Sequence, residues 1–167
     1  MNITLIGMPG VGKSTLGKRL ANKLKLNFID LDQVIEKQNN SKLQELLDKV
    51  GDEKFLELEE KAVLSLSDLN NSLVSTGGSV VYSKKAMDFL KNNSKVIFLD
   101  ASFESIKTRI DNEQTRGIVG LKTKTLKQLY EERTPLYYKN HHIKIKLPDK
   151  FNQSIIADEI CSLIIEK

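Results

Sequence analysis

A three-layer α/β domain, with helices on both faces of a five-stranded, mainly parallel sheet, is the fold class this sequence predicts, and two observations predict it. Short β-rich runs alternate with longer segments of helical period along the chain. Connections of that kind are right-handed crossovers that bury a parallel sheet on both faces. The first run also leads directly into a glycine-bearing octet, Gly7-Met8-Pro9-Gly10-Val11-Gly12-Lys13-Ser14, which opens a helical pattern. At 167 residues and 40% hydrophobic content the chain is expected to be one domain, residues 1–167.

Five strands are predicted at Asn2 to Ile6, Asn27 to Asp30, Ser72 to Ser75, Lys95 to Leu99 and Ile143 to Leu147. Between the first two, Ser14 to Leu26 repeats apolar residues at Leu16, Leu20, Ala21 and Leu24, the stripe of an amphipathic helix. A region over about 33–70 is mostly helical from Ile35 to Leu69, with its clearest break at Gly51 and Asp52. It is longer than one crossover needs and is expected to cover a second substrate. Phe103, Ile106 and Ile110 give a helix after the fourth strand, and another pattern begins near Leu126. The polar stretch between them, about 111–125 with Gly117 and Gly120, reads as a mobile lid. Ile160-Cys161-Ser162-Leu163-Ile164 reads as the apolar face of a last helix, with Cys161 a buried thiol that has no partner for an internal disulfide.

Composition narrows the function. The formal net charge of +4 comes from 26 basic and 22 acidic residues with no long block of one sign, which is a solvated surface, and a nucleic-acid partner is not expected. No run of 18 apolar residues and no signal-peptide pattern is present, so a cytoplasmic, soluble protein with no membrane partner is expected. His141 and His142 are adjacent and point in opposite directions on an extended chain, and no metal-site spacing involves them. Tyr137 and Tyr138 read as packing residues. Only four of the basic residues are Arg: Arg19, Arg109, Arg116 and Arg133. Planar bidentate donors suit phosphate and carboxylate, so each is a candidate on its own.

The octet has the form G-x-x-x-x-G-K-S between a predicted strand and a predicted helix, the context that a phosphate-binding loop requires. Its glycines let successive N–H groups approach phosphate oxygens, and the helix start adds its positive end. Gly10, Val11, Gly12, Lys13, Ser14 and Thr15 are the candidate nucleotide-binding residues, with Lys13 reaching the β- and γ-phosphates and the Ser14 hydroxyl contacting Mg²⁺. The chemistry indicated is phosphoryl transfer from a nucleoside triphosphate.

Phe28-Ile29-Asp30-Leu31-Asp32 closes the second strand. Residues two apart in a strand share a face, so both carboxylates can look into the crevice at the carboxyl ends of the strands, one serving a metal and the other an acceptor. Asp32 is alternatively the cap of the helix that holds Val34 and Ile35. At Ser75-Thr76-Gly77-Gly78-Ser79 the third strand ends in a small-residue turn at the same sheet edge, which suits close approach of a ligand as well as a tight turn.

The loop GMPGVGKS, the FIDLD pair, the STGGS turn and Glu132-Arg133-Thr134-Pro135-Leu136-Tyr137, in that order, resemble the shikimate kinase family of nucleoside-monophosphate-kinase-like P-loop proteins, over almost the whole chain. The resemblance implies sheet order 2-3-1-4-5, a monomer, ATP as co-substrate with Mg²⁺, and shikimate as the small-molecule acceptor. It implies that Ser14 and Asp30 hold the metal. Asp32 binds the acceptor hydroxyl as its base, Gly77 and Gly78 contact the acceptor through backbone amides, and Arg133 meets its carboxylate. Arg116 neutralises charge on the transferring phosphoryl group, and Arg109 lies against the nucleotide base. Lys13, Asp32 and Arg116 are thus the catalytic set. The chain departs from the family pattern at three places. Phe55-Leu56-Glu57-Leu58-Glu59 stands for Phe-Arg-x-x-Glu, Ser79 for the third glycine of Gly-Gly-Gly, and Arg116-Gly117-Ile118 for Arg-Pro-Leu. Leu56 cannot make the charge-assisted pair that an Arg makes with a carboxylate.

Overall fold

The computed structural model describes residues 1–66, 69–112 and 117–165. Its strands are β1 (Ile3–Ile6), β2 (Asn27–Asp30), β3 (Ser72–Ser75), β4 (Lys95–Asp100) and β5 (Ile143–Lys146). Its helices are α1 (Lys13–Leu24), α2 (Leu31–Asn39), α3 (Leu43–Leu64), α4 (Lys84–Asn93), α5 (Phe103–Asn112), α6 (Leu126–Lys139) and α7 (Gln153–Ile165), with one 3₁₀ turn at Val80–Tyr82. The strands form a single parallel sheet of order β2-β3-β1-β4-β5 with helices flanking it, the order the resemblance implies. Every strand end falls within one residue of its predicted place.

Burial follows position in the sheet. Every residue of β1 and β3 is buried, as are the four inner residues of β4, as both faces of a covered parallel sheet require, with Thr4, Ser72 and Ser75 the buried polar residues among them. The edge strands β2 and β5 are more exposed, and Lys144 and Lys146 point outward from β5, where charge discourages pairing with another chain. The His142 imidazole Nδ1 accepts from Val96 N–H at 2.9 Å, beside the β4–β5 edge, a structural use of that ring. All five strands run the same way, so their carboxyl ends, and the turns that follow β1, β2 and β3, gather at one edge.

The region after β2 is helical as expected, and α3 is broken at Gly51 (φ 80°, ψ 171°), where the break is predicted. Two expectations need correction. α5 continues through Asn112, two residues into the stretch read as a loop. Cys161 is half-buried, because Ile160 and Ile164 take the inner face of α7 and the thiol falls at its margin. Among the described residues no helix is long and apolar enough to cross a membrane.

Candidate active site

The phosphate loop leaves the buried end of β1 and enters α1 through Gly12, whose φ of 97° lies in the left-handed region that a side chain disfavours. This turn brings Lys13, the first residue of α1, back under the loop. Its Nζ donates to the carbonyls of Gly7 and Met8, both at 2.8 Å, and the residue is 7% exposed. Burial lowers the Lys13 pKa to about 8, with the Asp32 carboxylate the foremost opposing influence. The ammonium is therefore still mainly charged at neutral pH. Arg109 of α5 donates from Nη1 to the Val11 carbonyl at 3.1 Å, and its guanidinium lies 4.6 Å from the centre of the Phe151 ring.

Both acids of FIDLD reach the sheet edge, but not as two residues on one strand face. β2 ends at Asp30, and Asp32 lies in the first turn of α2. Asp30 is the cap: its Oδ1 accepts from Asp32 N–H at 3.1 Å, satisfying a helix-start donor that has no partner inside the helix. Its other oxygen, Oδ2, accepts from the Ser14 hydroxyl at 2.9 Å, and Ser14 Oγ lies 3.2 Å from Ser75 Oγ. Asp32, relieved of capping, turns into the cleft. Burial, and then the neighbouring Asp30, raise its pKa to about 6.

Across the cleft stands Glu59 of α3, 2% exposed. It accepts from the Ser79 hydroxyl at 2.8 Å, and burial pushes its carboxyl up to about 7. A Cβ at Gly77 would lie 2.5 Å from Glu59 Oε1 and 3.3 Å from Asp32 Oδ1, so any side chain there would displace the Glu59 carboxyl. Sequence reading placed no function on Glu59 or Ser79. The available signal was the spacing Phe55, Glu59, Ala62, Val63, which sets an acid on the buried stripe of a helix.

Arg133 of α6 is almost wholly buried and lies against the 3₁₀ turn. Its Nη2 donates to the Val119 carbonyl at 2.7 Å and its Nε to the Tyr82 hydroxyl at 3.2 Å, with the guanidinium 5.2 Å from the centre of the Tyr82 ring. Tyr82 in turn donates to Glu132. Arg133 Nη1 is left facing Gly78, where an added Cβ would sit 3.1 Å away. One turn on, Tyr137 stacks on Phe98 and donates to the Gly78 carbonyl at 2.5 Å, a packing residue as predicted.

The described part of the predicted lid, from Gly117 onward, rests on α3. Gly117 N–H donates to Gln44 Oε1 at 2.9 Å, Gly120 N–H donates to Asp52 Oδ1 at 3.2 Å, and Lys122 pairs with Asp48 at 2.6 Å. Arg116 lies outside the described residues.

The result is one cleft of about 280 Å³. Of the residues singled out from sequence, Gly10, Gly12, Lys13, Ser14, Thr15, Asp32, Gly77, Gly78 and Arg133 line it. Asp30 stands behind Ser14, and Val11 and Arg109 lie beside the loop without lining the cleft. Leu56 packs half-buried against the core and does not line the cleft either; Phe55 and Glu59 do.

A phosphate loop at the end of β1 in a 2-3-1-4-5 parallel sheet, facing a second wall of buried polar groups, defines a P-loop kinase. The sequence profile of the shikimate kinase family matches residues 9–165. The shikimate kinase of Sulfurihydrogenibium sp. (strain YO3AOP1) is 36% identical over 163 residues, 98% of this chain and 97% of that protein. Among solved structures, the shikimate kinase of Bacteroides thetaiotaomicron superposes with a TM-score of 0.84 at 28% identity, covering 98% of each chain. That of Acinetobacter baumannii, in complex with shikimate, gives 0.88 at 28% identity over 99% of this chain and 93% of the other. The chain belongs to the shikimate kinase family.

Proposed function

We propose that this chain transfers the γ-phosphoryl group of ATP to the 3-hydroxyl of shikimate, acting as a soluble monomer in the cytoplasm. The observation that carries the reading is that Lys13 and Ser14 of the phosphate loop line the same cleft as Asp32 and Arg133. Donor and acceptor can then be held side by side, which is most of what phosphoryl transfer asks of a protein.

Lys13 exchanges its bonds to the Gly7 and Met8 carbonyls for β- and γ-phosphate oxygens and stabilises the charge spread over them. Asp32, with a pKa of about 6, is ionised at neutral pH and accepts the proton of the attacking hydroxyl. Arg133 offers Nη1 to the acceptor carboxylate, and the N–H groups of Gly77 and Gly78 hold the acceptor backbone-side. Arg109 and Phe151 flank the loop where the nucleotide base leaves the phosphates. The Ser14 hydroxyl and the Asp30 carboxylate, 2.9 Å apart, are hard oxygen donors of the kind that suit Mg²⁺ completed by phosphate and water. When bound there, the ion neutralises phosphate charge.

A coupled assay of ADP release tests the reading: release rises with millimolar shikimate well above the ATP-only background, and no rise rejects shikimate as acceptor. One observation favours a second reading, transfer to another small hydroxylated acceptor. Leu56 stands where the family has its carboxylate-binding Arg, and Ser79 where it has a glycine. A screen of polyols, amino-alcohol acids and nucleoside monophosphates in the same assay separates the two.

A further inference from the structure

We propose that Glu59 is a proton-linked station of the acceptor wall: an anionic acceptor occupies the cleft only with Glu59 as the neutral acid, so acceptor binding takes up one proton from solvent. This rests on the acceptor reading given above.

The geometry leaves Glu59 without the usual means of carrying a charge in a buried place. Its one hydrogen bond comes from a neutral donor, Ser79 Oγ, and among the described residues it forms no ion pair. The charged and titratable groups that face it come from three helices. Lys13 projects from α1, Asp32 from α2 with Asp30 behind it, and Arg133 and the Tyr137 phenol from α6. Asp32 and Glu59 both come close to Gly77, their carboxylate oxygens within 3.3 Å of where a Cβ there would stand. Arg133 spends Nε on Tyr82 and Nη2 on Val119, which leaves Nη1 for an incoming anion.

Asp32 and Glu59, when both are charged, are matched by the two cations of the cleft, Lys13 and Arg133, and an acceptor carboxylate placed against Arg133 adds a third negative charge that no third cation offsets among the described lining residues. Beside the buried Glu59 and Arg133 like charges repel more strongly than in bulk water, and one of the three is neutralised. Asp32 keeps its charge, because Lys13 is the foremost group favouring it and because it receives the hydroxyl proton. Glu59, 2% exposed and bonded only by the neutral Ser79 hydroxyl, gives up its charge at least cost, in the direction burial already pushes it. As an acid it becomes a hydrogen-bond donor that the acceptor can use. Ser79 acts in the opposite sense, since its bond favours the charged form. A folded-state pKa raised this way makes binding strong below about pH 7 and weaker as pH rises through it.

Calorimetric titration of the full-length protein with shikimate, from pH 6 to 8.5 and in two buffers of different ionisation enthalpy, tests this. The dissociation constant should rise about tenfold from pH 6 to pH 8, and proton uptake should approach one per acceptor at the upper end. Glu59→Gln, which keeps the shape and an oxygen for Ser79, should abolish both the slope and the uptake. Ser79→Ala should shift the rise to higher pH. Binding without proton uptake at pH 8, or an equal slope in Glu59→Gln that assigns it to Asp32 or Lys13, overturns the proposal while leaving shikimate as the acceptor. A folded parent protein that binds no shikimate at any pH overturns the acceptor reading, and this proposal falls with it.

Discussion

The nucleotide wall of the cleft is built largely from backbone of one short segment, Gly7 to Ser14 between β1 and α1, whereas the acceptor wall is built from side chains delivered by α2, α3, the turn after β3 and α6. The first wall needs one charged residue, Lys13, held on carbonyls of its own loop. The second brings the half-buried Asp32 together with the buried Glu59 and Arg133, and desolvation raises the pKa of both acids. Phosphate recognition is thus largely local, with Arg109 the distant residue that braces the loop, while acceptor recognition depends on a balance of charges that one substitution can tilt. The departures from the family pattern that the structure describes, Leu56, Ser79, Gly117 and Ile118, all fall on the acceptor side or the lid.

That contrast is broken or sharpened by three substitutions. Lys13→Ala should give the largest effect, a fall in turnover of about 10²-fold or more with the fold retained, since the side chain lies at the ligand and its loss opens no hole in the apolar core. Circular dichroism and steady-state kinetics check it, and near-parent turnover in a folded variant would detach function from the loop.

Asp32→Asn comes next, with a turnover loss of about 10²-fold from removal of the base. Its sharper test is the pH profile. The folded pKa of Asp32 is raised to about 6, so parent turnover should fall as pH drops through about 6, when the base becomes protonated. In Asp32→Asn that acid limb should vanish from the residual rate, and its persistence would place the base elsewhere.

Leu56→Arg should have the smallest effect and an informative sign. Leu56 sits outside the cleft lining but follows Phe55, which lines it. The longer Arg side chain, if it reaches in, should add a charge-assisted bond to an acceptor carboxylate and lower the Michaelis constant for shikimate about tenfold. If the native acceptor carries no carboxylate there, the unpaired cation should instead impair the native reaction. Comparing the Michaelis constants of the two proteins for shikimate reads the sign directly.

The same contrast explains what was legible in the sequence. The strands and the helix after the octet follow from period and composition, and the kink at Gly51 from the one residue suited to φ 80°. The phosphate loop is legible because all its parts are adjacent in the chain. Asp30 and Asp32 are legible as a pair of acids at the sheet edge but not as strand neighbours, because a helix start intervenes and gives the capping task to Asp30. The role of Glu59 is not legible, because its partner Ser79 lies twenty residues away and joins it only once α3 packs beside the turn after β3. The Arg133 setting was hidden for a similar reason, since Tyr82 and Val119 come from separate segments. Local signals reveal groups that act through backbone, and distant packing decides which buried side chains share a cavity.

The central claim is that the two walls form one site for transfer between bound partners. Phosphorus NMR of the enzyme with ATP, Mg²⁺ and shikimate tests it most directly, by following where the γ-phosphoryl group goes. A growing phosphomonoester signal coupled to the proton on carbon 3 of shikimate is expected, equal in amount to the ADP formed and at least about 10²-fold slower to appear with Lys13→Ala. ADP accompanied only by inorganic phosphate, or no change from the enzyme-free mixture, would contradict it.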